Sequence, residues 1–465
     1  MSELPRLDAL RKEIESVTLS IIGLVGQRNA LAHAVALEKA QHEISLVNPA
    51  VEKHLRDIVV DKCNAIGVEP GLGLRLLNQL IDESIRVQKK TVGPEPSYDG
   101  HKIFTIAKEM EQSGQRVIHL EVGEPDFGPP VAVVRAMTEA VAHRLTHYTQ
   151  SVGIPVLRQK IAKALSETYQ REVSLQDVVV TVGGKYALFL AIASTLQVGD
   201  EAIIIDPSFP AYSSCVKQVG ARAVRISTKL EDAWKLDVRT VEECVNQSTR
   251  LIILNSPCNP TGNILDEHTC RALVNLAKEN DIWILSDEVY SSFSYTPYTS
   301  FLQLPECNQI IVKSFSKPYG MTGFRLGYAV ADPVMIKKMA GIQYLHLTSA
   351  PEFIQYAGLA ALDCEDEVLQ NAAMNRSRLQ LVSSLLERLP VSFRPADGGF
   401  YIFARLEDRG IDGVEFAERL LSEKGVCVTP GIVYGPQYGS FFRISVCQPE
   451  DQLREGLARM EEFLR

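Results

Sequence analysis

The chain has 465 residues, 46% of them hydrophobic, which exceeds one ordinary domain and suffices for two or three sizeable cores. Its net charge of −9, with no run of about 18 apolar residues and no secretory signal, gives no reason to expect a nucleic-acid or membrane partner and predicts a soluble, cytoplasmic protein. Nine cysteines without CxxC spacing and nine histidines without HExxH argue against a disulfide or zinc framework, so no metal is expected.

From the N-terminus, apolar residues recur in steps of three and four at Leu7, Leu10, Ile14, Val17, Ile21 and Leu24, then at Leu31 and Val35 after Arg28. This predicts one helix over about 6–41 with a heptad stripe. At 1.5 Å per residue it would be roughly 54 Å long, wider than the module that holds it, so it must pack against a second chain. Asn48-Pro49 starts a second helix, and Pro70-Gly71 separates it from a third carrying Leu74, Leu77, Leu80, Ile81, Ile85 and Gln88. Residues 1–90 are therefore an all-α module. Arg28 interrupts the stripe, where an unpaired buried cation would cost several kcal/mol. Lys39, eleven residues on, points the same way, whereas Arg11 is about 100° off that face and suits a neighbouring site in a paired helix. Ser84 and Gln88 are i, i+4 neighbours on the third helix. Interlocked helices of this kind hold cationic pockets suited to a small dianion.

Residues 91–100, with Gly93, Pro94, Pro96 and Gly100, read as a linker. Beyond it, β-rich runs at 178–180, 202–205, 223–226, 251–254, 282–285 and 309–312 alternate with helical stretches such as 153–169 and 265–280. That rhythm predicts a parallel-rich sheet covered on both faces. Residues 101–465 then comprise a large domain at about 132–348 and a smaller α+β domain formed by 101–131 and 349–465. Ligands in such sheets gather at the carboxyl ends of strands, and the polar residues fall there repeatedly. Gly183-Gly184-Lys185 can present backbone N–H groups to a phosphate. Lys317 in Ser314-Phe-Ser-Lys317 can form a Schiff base with the aldehyde of pyridoxal phosphate, while Ser314, Ser316 and Arg325 hold its phosphate. Asp287 can pair with a protonated pyridine nitrogen, and Asn259 and Tyr290 can bond the ring oxygen. Singly, each motif also reads as a turn, a cap or a solvated loop; their joint order is what is improbable. Arg443, in Phe441-Phe-Arg-Ile-Ser445, is costly to bury without an anion, either a substrate carboxylate or a structural acid.

On these motifs, residues 98–465 resemble the fold-type I pyridoxal phosphate enzymes, specifically the class I aminotransferases. The resemblance implies that Lys317 is both Schiff-base lysine and proton shuttle, that Asp287 is the pyridinium partner and that Phe209 stacks on the ring. Gly184, Lys185, Ser314 and Arg325 would lie at the phosphate, and Gly123 in the loop closing over the substrate. Tyr148 would reach the phosphate of the other subunit of a homodimer. Lys185 either reads a distal substrate carboxylate or stays in solvent. Most of residues 5–90 resemble the all-helical chorismate mutases, with Arg11, Arg28, Lys39, Glu52, Ser84 and Gln88 at functional positions. There Lys39 and Gln88 would stabilise charge on the ether oxygen, and Glu52 would hold the substrate hydroxyl. That family usually has an acid where this chain has Asn48 and an arginine where it has Val51. Together the resemblances imply a bifunctional enzyme that rearranges chorismate to prephenate and transaminates prephenate or an aromatic keto acid with an amino-acid donor. The alternatives are an aspartate or aromatic aminotransferase with a non-catalytic sensing or dimerisation module, and a decarboxylase or lyase on the same fold.

Overall fold

The computed structural model of the chain describes residues 5–42, 49–92, 98, 100–305, 307–407 and 410–465. The chain divides into two units, Met1–Ser97 with Val198–Asp200, and Tyr98–Gln197 with Glu201–Arg465. Most of the expected linker, and Asn48, lie outside the described residues.

The first unit holds α1 (Pro5–Gln41), α2 (Pro49–Ile66) and α3 (Pro70–Val92). All three start at a proline, whose missing N–H is one that a first helical turn leaves unbonded anyway. Leu74, Leu77 and Ile81 of α3 pack against Leu55, Val59 and Val60 of α2. α1 approaches α3 through the small buried residues Ala32 and Ala36. This contact face differs from the apolar stripe. Leu7, Leu10, Ile14, Val17, Ile21, Leu24, Leu31 and Val35 remain 41% to 68% exposed. Arg28 lies at the seam between the two faces, half-buried against α3, which is why it interrupts the apolar pattern.

In the second unit the strands are β1 (Ile118–His119), β2 (Val178–Thr181), β3 (Glu201–Asp206), β4 (Arg222–Ser227), β5 (Thr249–Asn255), β6 (Trp283–Asp287), β7 (Gln309–Ser314), β8 (Gly327–Val330), β9 (Val391–Phe393), β10 (Tyr401–Leu406), β11 (Val426–Cys427), β12 (Thr429–Pro430) and β13 (Phe441–Ser445). A seven-stranded sheet has the order β2-β8-β7-β6-β5-β3-β4. It is parallel from β7 to β4, while β8 runs antiparallel to both its neighbours. The middles of its central strands are apolar because both faces are covered, whereas the edge strand β4 carries Arg222 and Arg225 and is mostly not buried. Ile252, Leu254 and Ile284 point into one core, whereas Leu251, Ile253 and Leu285 point into the other, the period-two alternation of a pleated strand.

A smaller sheet, β12-β13-β10-β9, is antiparallel, and β1 pairs in parallel with β11. Phe400, Ile402, Phe442 and Ile444 anchor its core with Phe416 and Leu457 of the flanking helices. Ala350, Ile354, Ala357 and Ala361, in the stretch expected to belong to this smaller part, instead join a core of the large sheet. The reason is local: helix Glu352–Ala361 lies against helices Val131–Ala142 and Pro155–Tyr169. Among the described residues no helix is long and apolar enough to cross a membrane.

Candidate active sites

The carboxyl ends of β2, β5, β6 and β7 bring together most of the residues expected at a cofactor. Helix Gly184–Thr195 starts there, and its first N–H groups lack partners within the helix. Glycine is required by close approach. A Cβ on Gly183, whose φ is +81°, would lie 2.7 Å from Arg325 Nη2, and one on Gly327 would lie 2.5 Å from the Gly184 nitrogen. Ser314 sits against Gly184, where a Cβ would come 3.2 Å from its own Cβ. Arg325 itself adopts φ +54°, an unfavourable backbone for a side chain with a Cβ, and donates from Nη1 to the Thr322 carbonyl at 2.9 Å. N–H groups, a hydroxyl and a guanidinium around glycines form a cradle that fits a phosphate.

Asp287 ends β6 and is buried. Tyr212 Oη donates to its Oδ2 at 2.6 Å and the Val289 N–H to its Oδ1 at 3.3 Å. Burial pushes the carboxyl up to about 6 despite these bonds. A buried carboxylate so raised is what a cationic ring nitrogen would relieve. Folding raises this acid above its ordinary 3.8, so its contribution is full below that pH and is lost as pH rises through about 6. Across that window the loss is of order 3 kcal/mol, of which about 1 kcal/mol falls between pH 5 and 7. Cofactor-free Asp287→Asn is therefore expected to gain thermal stability over wild type as pH is raised from 5 to 7.5. Parallel melting curves with a pH-independent offset would contradict this.

Tyr290 is buried, its hydroxyl 3.1 Å from that of Tyr401, and burial raises its pKa well above the ordinary value. Asn259 accepts at Oδ1 from Arg443 Nη1 at 2.8 Å, which turns its amide nitrogen the other way. Arg443 also donates to the Glu121 main-chain carbonyl and, at 3.4 Å, to the Thr429 hydroxyl. None of these acceptors is charged. Its Nε is buried without a partner among the described residues, and the guanidinium lies 4.2 Å from the ring centre of Tyr401 and 5.2 Å from that of Tyr434. A buried cation with only neutral hydrogen-bond acceptors is suited to an incoming carboxylate.

Lys317 Nζ donates to the Gly123 carbonyl at 2.6 Å. Burial, with Arg443 and Arg325 nearby, lowers its pKa. Gly123 is tightly packed: a Cβ there would overlap the Tyr401 hydroxyl at 1.7 Å. Phe209 meets Tyr212 edge-on at 5.7 Å, and the exposed Lys185 lies 5.9 Å from the Phe209 ring centre. Tyr148 stands apart, 88% exposed. The sequence reading missed Tyr212, Tyr401 and Thr429. Tyr212 had a signal, its i, i+3 spacing from Phe209 at the start of helix Ala211–Gln218; Tyr401 and Thr429 reach the site only through the small sheet.

In the first unit, the Arg28 guanidinium donates to the Leu80 carbonyl and the Ser84 hydroxyl on α3, and its burial lowers its pKa. One turn beyond Ser84, Gln88 is buried and its Oε1 has no partner among the described residues. Lys39 is half-buried further along α1. Glu52 is buried on α2, its Oε2 3.8 Å from Arg56 Nη2. Val51 is exposed. Arg11 does not join them. It is exposed, pairs with Asp8 at 3.4 Å, and lies about 26 Å along the helix from Arg28.

A family model for aminotransferase class I and II matches residues 115–460, and one for chorismate mutase type II matches residues 10–89. Among curated proteins, the chain is 34% identical over 373 residues to a (5-formylfuran-3-yl)methyl phosphate transaminase of Methanocaldococcus jannaschii, spanning 79% of this chain and 97% of that protein. It is 35% identical over 371 residues to an aspartate aminotransferase of Sulfurisphaera tokodaii, spanning 77% and 93%. Among solved structures it resembles an aspartate aminotransferase from Thermotoga maritima with a TM-score of 0.76 at 33% identity, covering 79% of this chain and 97% of that one.

Proposed function

This chain belongs to the class I and II aminotransferases and carries a type II chorismate mutase domain before that part, and from this premise we propose that it rearranges chorismate to prephenate and transaminates prephenate or an aromatic keto acid derived from it. The observation that carries the first half is the Arg28–Ser84 contact beside the unpartnered, buried Gln88 Oε1. A purely structural helix would gain from an apolar residue at both positions.

The second unit fits pyridoxal phosphate: the glycine cradle with Ser314 and Arg325 would hold its phosphate, Asp287 its ring nitrogen, Asn259 and Tyr290 its ring oxygen, and Phe209 its face. When bound, that cofactor supplies an electron sink that acidifies the α-carbon of an attached amino acid. The chain's residues do the rest. Arg443 binds the α-carboxylate through a fork already held by Asn259 and Thr429, which orients the α C–H bond. The Lys317 amine, its pKa lowered by burial, takes the α-proton and returns it elsewhere, then reverses the sequence with a second keto acid.

In the mutase part no covalent catalysis by the protein is needed. Arg28 and Lys39 bind the carboxylates of chorismate and hold the compact conformer, while Gln88 and Lys39 stabilise charge on the breaking ether oxygen. Glu52 bonds the substrate hydroxyl, and Arg11 of a second copy completes the pocket. The exposed stripe of α1 and the exposed Tyr148 support a homodimer.

Supplying chorismate with glutamate or aspartate to the purified chain should give the aminated form of prephenate, identified by mass spectrometry. Amination only of ready-made keto acids, with chorismate untouched, would leave a broad aspartate or aromatic aminotransferase with a sensing or dimerisation module. The exposed Val51, where the mutase family usually has an arginine, is what favours that second reading.

A further inference from the structure

The loop 121–128 touches both cations of the strand-end site through its backbone. Its Glu121 carbonyl accepts from Arg443, and its Gly123 carbonyl accepts from Lys317. A loop carbonyl can orient an amine only if the loop is itself held. One hold is bidentate: Asp126 accepts two hydrogen bonds from Arg378, at 2.7 and 2.8 Å, with the Arg378 side chain 7% exposed. Arg378 lies on helix Glu365–Leu386, which also donates from Asn371 Nδ2 to the carbonyl of Pro318 at 3.3 Å. Pro318 directly follows Lys317. One helix thus grips the loop bearing the acceptor and the chain bearing the donor. The two segments also touch: Gly320 adopts φ +59°, and a Cβ there would lie 2.6 Å from the Phe127 carbonyl oxygen.

We propose that Asp126 and Arg378 are positioning residues for Lys317, their ion pair holding the Gly123 carbonyl against the amine so that its lone pair faces the reacting carbon. The inference rests on the reading of Lys317 as the reacting amine. Gly123 takes one N–H of the amine, the helix fixes the chain to which the lysine is tethered, and few orientations of the lone pair remain. The Arg443 end of the loop has its own hold, because the Glu121 carboxylate bonds His119 Nδ1 at 2.7 Å. Loosening Asp126 therefore disturbs Lys317 and leaves carboxylate binding by Arg443 in place. A general loss of structure would not divide the effects in this way.

The test uses the full chain with Asp126→Asn and, as a milder change that keeps the charge, Arg378→Lys. The first readout needs no cofactor: acetylation of Lys317 by acetic anhydride is followed across pH by peptide mass spectrometry. In Asp126→Asn the midpoint is expected to move up toward the ordinary lysine range by about half a pH unit or more, because the loop no longer excludes water, with a smaller move in Arg378→Lys. In the cofactor-loaded enzyme, kcat is expected to fall about tenfold while KM for the amino donor stays within about twofold. An unmoved midpoint in both variants, or a rise in KM at constant kcat, overturns the proposal. If the wild-type chain itself fails to take up the cofactor and to transaminate, the reading of Lys317 fails, whereas a normal wild type with unaltered variants sinks only the positioning role.

Discussion

Lys317→Ala is expected to lose the visible absorbance of the lysine-bound cofactor and to reduce transamination by at least about 10³-fold, since on the proposed function one side chain would serve as both attachment point and proton carrier. The neighbouring Lys313 cannot substitute for it. Lys313 Nζ is buried against Tyr169 Oη at 2.8 Å, Ser291 Oγ at 2.9 Å and Glu288 Oε2 at 3.1 Å. Burial alone would lower its pKa, but Tyr169 and Glu288 raise it well above the ordinary lysine value, so it stays an ammonium without a lone pair. Among the described residues Lys317 Nζ donates to a neutral carbonyl, and its pKa is lowered instead. Lys163→Ala, at an exposed position of helix Pro155–Tyr169, serves as the control and should keep the band. Retention of the band in Lys317→Ala would place the attachment on another amine.

The second large effect is expected in the other unit. Arg28→Ala should slow consumption of chorismate by about 10²-fold or more, as expected when a cation that binds a substrate carboxylate and holds the compact conformer is removed, and leave transamination of an aromatic keto acid within about twofold. Both activities are read on the same preparation, so a misfolded sample would reveal itself by losing the two together. Equal loss of both activities would speak against separate sites. Chorismate turnover that survives Arg28→Ala unchanged would remove the role assigned to the Arg28–Ser84 pair.

Much of this arrangement could be read from the chain because the informative residues are local. Runs such as Ile252-Ile253-Leu254 declare a strand buried on both faces, and Asp287, Ser314 and Lys317 fall at or just after the ends of their strands, so the place where these polar residues gather was legible before the strand order was. The order itself was not. The antiparallel placement of β8 between β2 and β7 depends on pairings across many residues, and nothing in Gly327-Tyr-Ala-Val announces them. The same limit hid Tyr401 and the Asp126–Arg378 pair, whose members are 252 residues apart. The first unit fails in a different way. Heptad spacing found the length of α1 but assigned a single face to residues that serve two, because Ala32 and Ala36 are too small to stand out as contact residues although smallness is what lets α3 come close. The stretch 349–364 was misplaced for a related reason: a helical pattern says that a face must be buried but not against which core.

α1 has a consequence for how the first activity would depend on amount. Eleven large apolar side chains of a 37-residue helix, the eight of the stripe with Leu19, Ile22 and Leu37, stand 41% to 68% exposed among the described residues of one chain. If a second copy covers them, and with that supplies Arg11, a complete mutase pocket exists only in the associated fraction. Dilution would then lower the rate per chain, by mass action, before any residue of the pocket is altered. The strength of the helix pairing, as much as the chemistry inside the pocket, would set the lowest concentration at which chorismate is turned over.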